Sequence, residues 1–367
     1  MAWNRDRSLA RIQKFKDSVP QGDIVVEDFA QYLNERRVMK ASGVIADEKM
    51  AILRVPRNRA ITTHGVHVYA NLIDFNGVLE DAGRETEASH KRALEFLHTH
   101  YSACDALIDE FEIQRVDFHG SRLHAVVLTP EGQHFEPTRI RKAISFAAAF
   151  REMVARLSVD FPEFETGVRI GIDSGPAVAI DSGKRDEPDP LFVGSPANHA
   201  AKLADGEDEG IYTSPRVQGV RDRGAFATST ALAKSVEVGF LNEQVDARGQ
   251  TLDADTRLTK VYLDFQAEMK RRGSGAQASN AVFHFHHKQP PLKDVVFAEH
   301  PPSNAIRMPL ASIFADIDGF TAYVDRAIIT GTVAQAVANL HVLRAEMAAV
   351  LRDDFGGRKV RFIGDCV

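Results

Sequence analysis

The chain has 367 residues, with 45 Lys+Arg against 51 Asp+Glu and a formal net charge of −6. Hydrophobic residues make up 44% and charged residues 26%, a globular balance that argues against a disordered chain and a broadly basic nucleic-acid binder. No run approaches the ~18 consecutive apolar residues of a membrane helix, and the charged start MAWNRDRSLARIQKF lacks a signal peptide's apolar core. Cys104 and Cys366 make neither a disulfide framework nor a zinc site. These features predict a soluble cytoplasmic protein of two or three domains.

Residues 1–58 read as a helical extension. Leu9, Ile12 and Phe15, then Phe29, Tyr32 and Leu33, keep helical spacing and suit a packing or dimerising helix. From Val66, VHVYANLIDF reads as a central strand. A helix follows, with Leu94, Leu97, Tyr101, Cys104, Leu107, Ile108 and Phe111 on one stripe. RVDFHGSRLHAVVL reads as two strands around a Gly120-Ser121 turn, and a second helix spans roughly 138–157. TGVRIGIDSGPAVAI reads as a strand pair bent at its glycines. LFVGSPANHAAKLAD starts extended and turns helical after Pro196, and GIYTSP closes the region as a short strand. Residues 59–215 thus predict an α+β unit, a mixed sheet with flanking helices. Residues 216–306 read as linker or irregular structure, with RRGSGAQASN (271–280) flexible by composition. His284, His286 and His287 lack a carboxylate or Cys to complete a ligand set, so HFHH reads as a solvated strand.

An internal repeat carries the functional argument. ASIFADIDGFTAYV, from Ala311, matches VHVYANLIDFNGVL: Tyr69 aligns with Phe314, Ala70 with Ala315, and Phe75 with Phe320. KVRFIGDCV matches RVDFHGSRL, and the separations agree, 50 residues from Asn71 to Ser121 and 49 from Asp316 to Asp365. The second copy, 307–367, stops in mid-strand. One complete unit and an incomplete copy are therefore expected, with the copy needing completion by further residues or another chain.

The second copy places Asp316 and Asp365 at the ends of neighbouring strands. Two carboxylates at one sheet edge can share two hard divalent cations, Mg2+ or Mn2+. Either Asp alone would be an ordinary turn residue.

FADIDGFT, FIGD, RIGIDSG and VGSPANHAAKL together resemble the class III nucleotidyl cyclases over about 60–205 and 307–367. The resemblance implies a catalytic site shared by two such units. It implies that Asp316, Asp365 and the Ile317 carbonyl hold the metals. It also implies that Asn198 positions the ribose and Lys202, where the family has Arg, meets the phosphates with less directional charge. The alternatives are a turn or cap role for Asn198 and a solvated surface role for Lys202. The first copy departs at both metal positions, with Asn71 and Ser121. A register placing Asp74 opposite Asp316 is the alternative, and Ser121 spoils that site as well. The pattern implies one competent composite site and one dead site within an intrachain pseudo-dimer, homo-oligomers remaining open.

The base-reading positions implied by the resemblance are Asp117 and Leu191. An ionised Asp117 accepts hydrogen bonds only, which repels adenine N1, and Leu191 accepts nothing from the adenine amino group. Asp117 suits guanine, cytosine or uracil, and these residues do not choose among them. The opening segment with HGVHVY and SHKRALEFLH is similar to the bacterial pyrimidine cyclases of the anti-phage Pycsar type. That likeness implies UTP or CTP as substrate and a product read by a separate cyclic-nucleotide-responsive effector, with no nucleic acid or membrane partner. A guanylate cyclase and a catalytically weak nucleotide-binding sensor are the competing readings.

Overall fold

The computed structural model describes residues 3–18, 24–45, 52, 55–56, 58–181, 190–226, 244–245, 251–252, 254–274, 286–289 and 306–357. Helix α1 (Arg5–Ser18), strand β1 (Val25–Asp28), helix α2 (Phe29–Ala41) and strand β2 (Arg59–Leu72) come first. The one-turn helix α3 (Phe75–Val78), helix α4 (Glu87–Glu110), strands β3 (Gln114–His119) and β4 (Arg122–Val127), helix α5 (Glu136–Asp160) and strand β5 (Val168–Asp181) follow. Then come β6 (Pro190–Val193), α6 (Ser195–Leu203), β7 (Gly210–Thr213), α7 (Pro215–Phe226) and α8 (Ala254–Ser274). Helices α9 (Phe320–Thr330) and α10 (Val333–Ala349) lead into a π-helical turn at Val350–Asp354.

The chain forms two compact units. The central unit comprises His64–Gly175 and Pro196–Val282. The terminal unit comprises Met1–Thr63, Pro176–Ser195 and Phe283–Val367. Strands β2 and β5 contribute residues to both.

In the central unit, β4 pairs antiparallel with both β2 and β3, and β7 pairs parallel with Arg169–Ile172 of β5. Val66, Val68 and Ala70 of β2 are buried, as a central strand's side chains must be. Helices α4, α5 and α8 close one core, in which Phe96, Phe146, Ile170, Leu258 and Phe265 are buried. Thr86 caps α4 in a reciprocal box with Ser89, satisfying two otherwise orphaned N–H groups.

In the terminal unit, β1 pairs parallel with the start of β2, and β6 pairs antiparallel with Val178–Asp181 of β5. Val178, Val193, Phe320, Val337 and Leu340 form a small apolar core under α9 and α10. Helix α1 is held by charge, with Ile12 and Phe15 half-buried beside it. Arg11 bonds to Glu346 at 2.6 and 2.9 Å and to Asp354 at 2.9 and 3.1 Å, and Ser8 Oγ donates to Glu346 at 2.5 Å. Leu9 of the expected apolar spacing is 52% exposed. Glu346 and Asp354 are buried, so only a forked cation opposite them satisfies both.

Several expectations change. The segment 1–58 contains a strand, β1, because β2 begins at Arg59 and offers it an edge. TGVRIGIDSGPAVAI is one strand, not a pair. Gly175 takes φ +144, and Pro176, which has no N–H, sits where β5 exchanges its β7 partner for β6. Within the stretch read as irregular, α7 and the 21-residue α8 are regular, and Leu258, Val261, Tyr262 and Phe265 of α8 bury a helical stripe. Leu94 is 48% exposed and lies off the buried face of α4. Residues 308–317, expected as a strand ending at Asp316, carry no regular secondary structure, and Ile313 and Phe314 are 72% and 76% exposed. A strand requires a hydrogen-bonding neighbour. The segment expected beside it, KVRFIGDCV, lies outside the described residues, as do residues 275–280 of the expected linker, His284 and Cys366.

The central unit also buries an imidazole pair. His67 Nδ1 and His124 Nε2 are 3.1 Å apart, and Tyr69 stacks on His124 at 4.2 Å between centroids. Burial pushes His67 down to about 3 and His124 well below the usual imidazole range. Both rings are therefore neutral in the folded state, whereas an unfolded imidazole titrates near about 6.5. Stability is full above that value and falls as pH drops from it toward about 3, because the unfolded chain binds more protons. Urea unfolding at pH 7.5 and 5.0 is expected to give a lower free energy at 5.0. The slope should be on the order of 1 kcal/mol per pH unit per imidazole. His67→Gln should flatten that dependence.

Candidate active site

The end of β2 and the start of β4 bring the two first-copy positions together. Leu72 N–H donates to Ser121 O at 2.9 Å, and Ser121 Oγ donates to Asn71 Oδ1 at 2.9 Å. Spacing alone paired Asn71 with Ser121, and the sheet register opposes Asn71 to Arg122, the next residue. Asp74, the alternative, is a left-handed residue (φ 57) preceding α3. Asn71 and Ser121 carry no charge and satisfy each other, so this pair does not fit a divalent cation that needs anionic oxygen.

The second-copy donors have a different chemistry. Asp316 is exposed, and the Ile317 carbonyl accepts from Phe320 N–H at 3.3 Å at the entry to α9. Asp365 lies outside the described residues. Two carboxylates and a carbonyl are hard oxygen donors of the kind that fit Mg2+ or Mn2+. Among the described residues no group of three His, Cys, Asp or Glu side chains converges.

The binding residues implied by the sequence lie on well-defined elements. Asn198 is half-buried on α6, and Lys202 is exposed one turn later on the same helix face. Asp117 is half-buried at the irregularity of β3, opposite His124. Leu191 lies on β6 opposite Ile180. Asp117, Asn198 and Lys202 thus belong to the central unit, and Leu191, Asp316 and Ile317 to the terminal unit.

The structure adds a cluster that sequence reasoning passed over. Asp173 of β5 is fully buried, and its Oδ1 accepts from Ser174 N–H at 2.8 Å, from Ser214 Oγ, and from Arg216 Nε at 3.2 Å. Its Oδ2 accepts from Arg216 Nη2, and His199 Nδ1 lies 3.1 Å from Oδ2 and 3.2 Å from Arg216 Nη2. A buried carboxylate is tolerable only with such a set of donors. The signal was available: RIGIDSG puts an acid in the middle of an otherwise buried strand. Its partners, 26 to 43 residues away, were not visible.

Aspartates at both first-copy positions should change this chemistry. The double variant Asn71→Asp, Ser121→Asp is expected to acquire Mn2+ binding that the wild-type pair lacks. Calorimetric titration of the double variant carrying Asp316→Ala, against Asp316→Ala alone, isolates that increment.

Residues 69–241 match the adenylate and guanylate cyclase catalytic domain family. The whole chain is 42% identical to a uridylate cyclase of Rhizobium sp., covering 72% of it. It is 32% identical to a uridylate cyclase of Pseudomonas aeruginosa, covering 66% of that protein. The crystal structure of a class III adenylyl cyclase-like ATP-binding protein from Pseudomonas aeruginosa matches all of this chain and 72% of its own, at 29% identity and a TM-score of 0.74. No helix among the described residues is long and apolar enough to cross a membrane. Whole-chain identity of this order, with the cyclase domain match and the matching fold, means that the chain belongs to the class III nucleotidyl cyclases.

Proposed function

We propose that the protein converts UTP to 3′,5′-cyclic UMP and pyrophosphate. The observation that carries this reading is the 42% whole-chain identity to a relative named uridylate cyclase. The side chains at the base-reading positions support it. Asp117 accepts hydrogen bonds and so suits the uracil N3–H, and Leu191 offers the adenine amino group no acceptor. Cytosine N4–H would also suit Asp117, so CTP is the second pyrimidine substrate to test.

In the reaction the ribose 3′-oxygen forms a bond to the α-phosphorus. The bond from that phosphorus to the bridging oxygen of pyrophosphate breaks, and the hydroxyl proton leaves to solvent. Asn198 orients the ribose, so that the 3′-oxygen is held near its target. Lys202 places a cation where negative charge develops on the phosphates. Asp316, Asp365 and the Ile317 carbonyl would hold two divalent cations, which when bound acidify the 3′-hydroxyl and offset triphosphate charge. Asn71 and Ser121 leave the first copy as the binding partner in an intrachain pseudo-dimer. A cytoplasmic location and a role in anti-phage signalling through a separate cyclic-nucleotide effector complete the reading.

Incubating the full-length protein with Mn2+ and each of ATP, GTP, CTP and UTP, then identifying products by mass, tests it. Cyclic UMP as the main product is expected. Cyclic GMP would overturn the base assignment, and nucleotide binding without any cyclic product would support the sensor reading instead.

A further inference from the structure

We propose that His199, locked to the buried Asp173, is a positioning residue that fixes the rotation of the substrate-binding helix α6. The inference rests on the reading of Asn198 and Lys202 as substrate-binding residues. Arg169 Nε donates to the Leu203 carbonyl of α6 at 2.9 Å, and three further contacts within the central unit each fix something different.

The first contact sets the distance from helix to sheet. At Gly171 of β5 a Cβ would stand 2.7 Å from Ala204 N and 2.8 Å from Leu203 Cβ, and closer still to the Ala200 carbonyl. The α6 backbone therefore lies directly on the strand. The second contact holds the far end. Arg122, next to Ser121, pairs with Asp205 just beyond α6. Neither contact determines which face of α6 is presented, because a helix resting on a glycine can still roll.

The third contact supplies that constraint. His199 follows Asn198 directly and precedes Lys202 by three residues, so its direction sets theirs. The Asp173 carboxylate only accepts, so the tautomer that bonds it carries its proton on His199 Nδ1, a nitrogen that also lies 3.2 Å from Arg216 Nη2. Asp173 itself cannot shift, since Ser174 N–H, Ser214 and Arg216 hold both of its oxygens. Ser214 also accepts from Val217 N–H at 3.3 Å at the start of α7. Rolling α6 would thus break a bond to a buried, charged acceptor, and hydrogen bonds to charged groups are stronger than neutral ones. Positioning chemistry through a shell of locked side chains is a common requirement of precise sites.

The test compares His199→Ala with His199→Asn, whose amide nitrogen stands where Nδ1 does. The His199 side chain is 51% exposed, so neither change should unfold the protein. His199→Ala is expected to lower kcat/KM for UTP by about ten- to a hundredfold, with KM raised as well as kcat lowered and the thermal midpoint nearly unchanged. Loss of folded molecules would instead lower kcat at constant KM. His199→Asn should recover most of the activity, because only the donor is needed. Wild-type kcat and KM in His199→Ala, or equal loss in Ala and Asn variants, would overturn the inference. Asn198→Ala serves as the reference. If it too keeps wild-type activity, the substrate-binding reading of α6 has failed. If it loses activity while His199→Ala does not, only the positioning role has failed.

Discussion

Replacing Asp316 with Ala is expected to abolish cyclic-nucleotide formation by the full-length protein, and Asp365→Ala to do the same. The loss should be several orders of magnitude, because removing one of two anionic donors removes the site's claim on its cations against water. Stability should barely change at Asp316. The residue is exposed and precedes α9 in a stretch without regular structure, so its side chain supports no packed element. Rates measured over a Mn2+ titration, with a thermal melt of each variant, separate loss of the site from loss of the fold. Normal turnover by either variant at low Mn2+ would remove these carboxylates from the account.

Gly171→Ala is expected to have the largest effect on stability of any methyl-sized change in the central unit. The added Cβ would meet backbone rather than a movable side chain, at 2.7 Å from Ala204 N. Either α6 lifts off β5 or β5 bends, and overpacking of this kind costs up to about 3 kcal/mol. The helix that moves is the one carrying Asn198 and Lys202, so activity should fall with stability. Urea unfolding of Gly171→Ala against wild type gives the cost. A neutral result would show that α6 does not rest on β5 at this point.

Most of the central unit could be read from one sequence because its signals are local. The β-rich, mostly apolar run VHVYANLIDF, the Gly120-Ser121 turn and the apolar period of α5 need no partner to be recognised, and all three correspond to elements. Where the fold departs from local pattern, long-range contact decides. The glycines of β5 resemble turn residues and so predict two strands. Gly175 with Pro176 instead marks an exchange of edge partners within a continuous strand. Helix α8 was hidden by the linker-like composition that follows it, although Leu258, Val261, Tyr262 and Phe265 carry helical spacing. The docking of α1 could not be foreseen, since it sets Ser8 and Arg11 against Glu346 and Asp354.

The same division holds for the candidate site. Asn71 and Ser121 were paired by spacing alone, and their side chains hydrogen-bond in the fold. RIGIDSG alone assigns Asp173 no role, because its meaning comes from His199, Ser214 and Arg216, which reach it only once the sheet and helices assemble. A buried acid in a strand is a sequence-level signal worth following even when its partners are unknown.

The central claim is a division of labour between the two copies, with metal donors in the second and a metal-free partner in the first. It is tested most directly by assaying Asn71→Ala and Asp316→Ala side by side in the full-length protein with UTP and Mn2+, reading cyclic UMP by mass. The account predicts near wild-type product from Asn71→Ala and none from Asp316→Ala. Activity lost in Asn71→Ala and retained in Asp316→Ala would contradict it.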